Sequence, residues 1–112
     1  MEQFFTAGLH NTPQKLTLSD PYGKLTDHFI MVVGNHSQKV RETNNDLRYK
    51  VAMSEGITVE DAKAELIASM IESWSFDEEP TLENKLKLLK EAPQIADAVD
   101  LFGSNHSNFA KK

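Results

Sequence analysis

Four histidines, His10, His28, His36 and His106, are the residues best suited to metal or acid–base chemistry in a chain of 112 residues without cysteine. No two of them stand three or four positions apart, and none pairs with a carboxylate in a ligand spacing such as HExxH. They read as ordinary surface or packed histidines. Ser37, after Gly34-Asn35-His36, is the serine most easily mistaken for a nucleophile. No GxSxG elbow surrounds it, and its place before a helical pattern makes it a helix N-cap. None of the five glycines has the spacing of GxGxxG or of a phosphate loop ending in Lys-Ser/Thr. Asp77-Glu78-Glu79 could supply a carboxylate pair, but a catalytic pair needs one desolvated member. This run has no apolar shelter in the sequence and reads as a solvated acidic loop. Without cysteine, thiol nucleophiles, disulfides and Cys-based zinc sites drop out together. The sequence therefore assigns no catalytic residue, no cofactor and no metal, and points to a non-enzymatic protein.

Twelve Lys and Arg against 17 Asp and Glu give a net charge of -5. A free nucleic-acid binder needs a basic face, so that class is disfavoured. The charges are unevenly spread. Residues 38–50 hold four bases against two acids, whereas residues 55–79 hold eight acids against Lys63 alone. Such a separation steers contacts between copies or with a basic partner, or pairs adjacent helices within the chain. The longest apolar run, Phe29 to Val33, is far short of the roughly 20 residues that span a bilayer. The start MEQFFTAGLHNTPQ has neither the basic opening nor the apolar stretch of a signal peptide. A soluble, intracellular, single domain is expected, with no membrane partner.

The elements that must position these groups follow from periodicity. Residues 1–14 hold Phe4, Phe5 and Leu9 without a sustained period, as an arm or short edge element does. Lys15-Leu16-Thr17-Leu18 alternates like a half-buried strand, and His28 to Val33 is a β-branched and aromatic run. Between them Asp20-Pro21-Tyr22-Gly23 is a turn, so residues 15–34 predict a β-hairpin. From Ser37 the period becomes helical, with a thin apolar stripe of Val40, Leu47 and Val51 running towards Gly56. Thr58 caps a second helix whose stripe, Ala62, Leu66, Met70 and Trp74, is flanked by Ile67 and Ile71. Thr81 opens a third with Leu82, Leu86 and Leu89, and Pro93 starts a fourth with Ile95, Ala98, Val99 and Phe102. Gly103 stands where a C-terminal cap belongs, ahead of a polar tail over residues 104–112. The expected architecture is α+β: an N-terminal β-hairpin followed by about four α-helices over residues 37–103, predominantly helical.

Aromatic residues supply the remaining signal. Trp74 continues a core stripe, Phe76 is displaced from it, and Phe4, Phe5 and Phe109 lie near the termini, where exposed aromatics mark contact surfaces. Val40, Leu47, Val51, Trp74, Phe76, Phe102 and Phe109 are the candidate partner-binding residues. A stripe as sparse as Val40, Leu47 and Val51 leaves an apolar groove between helices that self-association would shield, so a homo-oligomer is expected.

Taken in order, these features resemble the tail assembly chaperones of long-tailed bacteriophages. The resemblance rests on the turn Asp20-Pro21-Tyr22-Gly23 leading to Phe29 through Gly34, and on the junction Val33-Gly34-Asn35-His36-Ser37. It also rests on Ile71 through Phe76 followed by Thr81-Leu82-Glu83-Asn84 and Leu88-Leu89. Its last part is Pro93 with Ile95 to Phe102 and then Asn108-Phe109. Ser73 stands where the family often has glycine. The resemblance implies a protein that binds the long, helical tape-measure protein and keeps it soluble while tail tube protein polymerises around it. It implies residence in the host cytoplasm and absence from the finished virion. It also implies a frameshifted longer form, with which the closing Lys111-Lys112 is compatible. The alternatives are a virion structural component, such as a tail completion or connector protein, and a small helical DNA-associated regulator using residues 38–50.

Overall fold

Asp20 folds the chain back on itself. Its carboxylate accepts the backbone N–H groups of Tyr22 and Lys24, each at 2.9 Å, and Gly23 takes a φ of 84° that favours glycine. The computed structural model describes residues 1, 5, 7–53 and 56–110. The sequence features on Phe4, Glu55 and Lys111-Lys112 lie outside the described residues. The turn joins β1 (Gln14–Ser19) to β2 (Leu25–Val32) in an antiparallel pair with Leu16 opposite Ile30. A register irregularity between Thr17 and Ser19 accompanies a hydrogen bond from the Thr26 hydroxyl to the Leu18 carbonyl. Leu18, Ile30 and Val32 are buried by the helical layer.

Helix α1 spans Gln38–Ala52 and α2 spans Val59–Met70. The sequence stripe carries α2 on to Trp74; the structure ends it at Met70 and continues directly into a third strand, β3 (Ile71–Trp74). This strand pairs antiparallel with β2, giving the sheet order β1-β2-β3. Ile71 lies opposite Val32 and Trp74 opposite Ile30, so three residue steps on β3 face two on β2. The extra residue is accommodated by a bulge. It keeps Ile71 and Trp74 on the same, inward face. A spacing of three between two inward apolar residues is also what a helix produces, which is why periodicity alone extended α2. The free backbone groups of β2 decide the matter, because they need a partner that only a strand supplies. Beyond β3, Ser75 still donates its N–H to the Phe29 carbonyl at 3.0 Å.

The remaining helices are α3 (Leu82–Glu91) and α4 (Pro93–Ser104), separated by Ala92 alone. Ser37, Thr58 and Thr81 cap α1, α2 and α3, each hydroxyl accepting the N–H three residues on. Pro93 occupies the first turn of α4. Gly103 is not a cap: it is a buried residue inside α4, where a Cβ would press on Met70 Sδ. Ile30, Val32, Ile67, Met70, Ile71, Leu89 and Val99 form the centre of the core. In α3, Leu82 is about half exposed, and Lys85 takes an inward position instead, only 8% exposed. Burial, and the charge of Lys39 beside it, push the Lys85 amine below its usual range; Glu72 opposes them.

Candidate functional site

Six of the seven candidate partner-binding residues occupy three separate places, and the seventh, Val40, lies in the core. Leu47 and Val51 lie on α1 facing α2, where they line a groove of about 460 Å³ with Val59, Ala62 and Leu66. Leu47 forms the buried floor, Val51 is half-buried and Val59 is 71% exposed. Val40, the first member of the stripe, is not on this surface; it is buried in the core. The stripe therefore runs from the core outward along α1, and only Val51 at its C-terminal end meets solvent. Asn44, Arg48, Ala52 and Lys63 complete the lining, so both charged groups in the groove are cations. Helix α1 packs on α2 along this groove. Val59, which sequence reasoning did not single out, is legible only as the apolar residue following the Thr58 cap.

Trp74 and Phe76 form the second place. Their rings meet edge-on at 5.4 Å, and Phe76 also approaches the His28 ring at 5.0 Å. With Asn84, Lys87, Leu88 and Glu91 of α3 and with Glu78 they line a cleft of about 260 Å³. The Trp74 indole donates to the Glu78 carbonyl at 2.6 Å, and Asn84 donates its side-chain amide to the Glu79 carbonyl at 2.8 Å. The acidic loop is thereby tied down through its backbone while Asp77, Glu78 and Glu79 stay exposed. Ser75 Oγ accepts the Phe29 N–H at 2.9 Å and lies 3.1 Å from His28 Nδ1. That contact joins β3 to β2 and engages both sides of the hydroxyl.

Phe102 and Phe109 form the third place, and here the expectation of an exposed terminal aromatic fails. Phe109 is buried, 5.9 Å from the Phe102 ring and stacked at 4.9 Å on the ring of His10. The polar tail is correspondingly folded: His106–Asn108 form a short 3-10 turn, and the Asn108 amide donates to the Phe102 carbonyl at 3.0 Å. The N-terminal arm likewise forms a 3-10 turn over Ala7–Asn11. The C-terminal turn packs on the N-terminal one through His106 and Phe109, and the N-terminal turn closes on the junction between β2 and α1. There, Gly34 donates its N–H to the His10 carbonyl, Asn35 to the Gly103 carbonyl and Gln38 to the Asn11 side chain, all between 2.8 and 2.9 Å. His36 donates to His10 Nδ1 at 3.3 Å. A junction that would otherwise carry unpaired donors is thus completed by the N-terminal turn and the end of α4.

Three of the four histidines meet at this junction, which no spacing in the sequence announces. His10 lies 5.2 Å from His36 and 5.4 Å from His106 between ring centroids. Burial and the nearby His36, His106 and Arg41 push the His10 imidazole below its usual 6.5. Among the described residues, no group of three His, Cys, Asp or Glu side chains has a geometry that could hold a metal ion. No helix among them is long and apolar enough to cross a membrane. In comparisons with protein-family models, curated proteins and solved structures, nothing matches this chain.

Proposed function

We propose that this chain is a non-enzymatic tail assembly chaperone of a long-tailed bacteriophage, the family its motifs resemble. In this role it holds helical segments of the tape-measure protein in solution until tail tube protein assembles around them. The observation that carries the reading is the α1–α2 groove, an apolar trough between two helices that is open to solvent along Val51 and Val59. An amphipathic helix lays its apolar face into such a groove. Arg48 and Lys63 select a client helix with acidic residues beside its apolar stripe. Self-association buries the same groove before the client arrives, so the free protein is a homo-oligomer and the client competes with its contacts. The protein acts in the host cytoplasm and leaves before the particle is complete.

The test is co-expression with the long helical protein encoded downstream in the same genome. A rise in that protein's soluble fraction, followed by co-elution, supports the reading. No rescue and no complex, together with recovery of this chain from purified particles by mass spectrometry, replaces it with a virion structural component.

A further inference from the structure

His10 is buried to 1% exposure between the two chain ends, and its hydrogen bonds dictate where its protons lie. The His36 backbone N–H can only donate, so His10 Nδ1 must offer a lone pair at 3.3 Å. A neutral imidazole then carries its proton on Nε2. That proton points to His106 Nδ1, 3.2 Å away, which must in turn be bare. The two bonds are in series: each fixes the tautomer required by the other. A proton arriving at His10 Nδ1 sets N–H against the N–H of His36.

We propose that His10 and His106 form a clasp that binds the C-terminal turn to the N-terminal turn, and the latter to the β2–α1 junction, only while the His10 imidazole is neutral. Acidification opens it, freeing the turns at 7–11 and 106–108 and uncovering Phe109 and Phe102. The surroundings favour this response. From the junction His36 faces His10, from α1 Arg41 approaches it, and from the C-terminal turn His106 stacks on it. The turn Ala7–Asn11 carries no other titratable side chain, and neither does the last turn of α4, Leu101 to Ser104. Glu42 of α1, which lines the neighbouring groove with Arg41, accepts a hydrogen bond from the Gln38 amide at 3.0 Å. The groups acting on the ring are therefore basic or imidazole. Burial and these neighbours hold the folded His10 below 6.5, so the unfolded or released segment binds the proton more readily. The clasp is at full strength above 6.5 and is lost as pH falls through the lower folded value.

Nuclear magnetic resonance of the full chain tests this. Near pH 7.5, His10 and His106 are expected as Nε2–H tautomers. A His10 protonated on Nδ1 there would overturn the proposal. Between pH 7.5 and 5, amide protection at Gly34, His36 and Phe109 is expected to fall about tenfold or more, as loss of a hydrogen bond implies, while Val99 and Ile71 keep theirs. Unchanged protection, or equal loss at Val99 and Ile71, would contradict a local clasp. The His106→Phe variant keeps a stacking ring at an exposed position but removes the acceptor. Lowered protection of the His36 amide at pH 7.5 is expected, and full retention would show that stacking alone holds the ends.

Discussion

Gly34 lies directly beneath His10: a Cβ built on Gly34 would fall on the imidazole, against its Nδ1, Cγ and Cβ atoms. The two residues also share a hydrogen bond, from the Gly34 N–H to the His10 carbonyl at 2.8 Å. This close approach gives a physical reason for glycine in the Val33-Gly34-Asn35-His36-Ser37 junction. The clash includes the root of the His10 side chain, so rotation of the ring does not relieve it. Gly34→Ala is expected to destabilise the fold by about 2 kcal/mol, in the range of overpacking. Urea denaturation measures this as a lower midpoint. A midpoint equal to that of the wild type would mean that the N-terminal turn moves aside freely.

Lys85 sits inward on α3, with its amine held below 10.5 chiefly by burial. The unfolded chain therefore holds this proton more tightly than the folded one, and the charge is a penalty at neutral pH that fades as pH rises towards 10.5. Lys85→Met is expected to raise stability by about 1 kcal/mol at pH 7, as replacement of a partly buried charge by an apolar chain of similar reach allows. The gain should shrink at pH 10. Paired urea titrations at the two pH values check both the sign and the trend.

Val59 is the exposed lip of the α1–α2 groove and stands at the first position of α2. An acid there is compatible with the helix N-terminus, so Val59→Asp should leave the thermal midpoint within a degree or two. The same charge spoils an apolar docking surface. Client rescue on co-expression is expected to fall to the level seen without this chain, and self-association to weaken in light scattering. Rescue at the wild-type level would remove the groove from the proposed function.

Phe109 separates contact from packing. Its ring is buried against His10 and Phe102, so Phe109→Ala should destabilise the protein by about 3 kcal/mol, the usual cost of emptying a buried aromatic site. Client binding by the folded fraction should be unaffected. Calorimetry and co-elution distinguish this from the role of an exposed contact residue, in which the two effects are reversed.

Much of the architecture was legible in the sequence because local chemistry specified it. Asp20 to Gly23 encode the hairpin turn, Ser37, Thr58 and Thr81 mark three helix starts, and Pro93 marks the fourth. Each of these signals acts within four residues, through a cap or a fixed dihedral. Half of the groove was legible too, since Leu47 and Val51 repeat at helical spacing, whereas Val59 belongs to it only because α2 packs where it does.

What the tertiary structure alone decided lies in contacts between distant segments. Ile71 to Trp74 is a strand because β2 needed a partner, and a bulge let residues spaced as in a helix face the same side. His10 is buried because the N-terminal turn bonds to the β2–α1 junction, and Phe109 because it packs on His10 and Phe102. The His10–His106 pair spans 96 positions of sequence. Capping and turn chemistry are properties of neighbours along the chain and can be read from it. The pairing of donors, acceptors and apolar faces across the fold depends on which segments meet, and periodicity does not encode that.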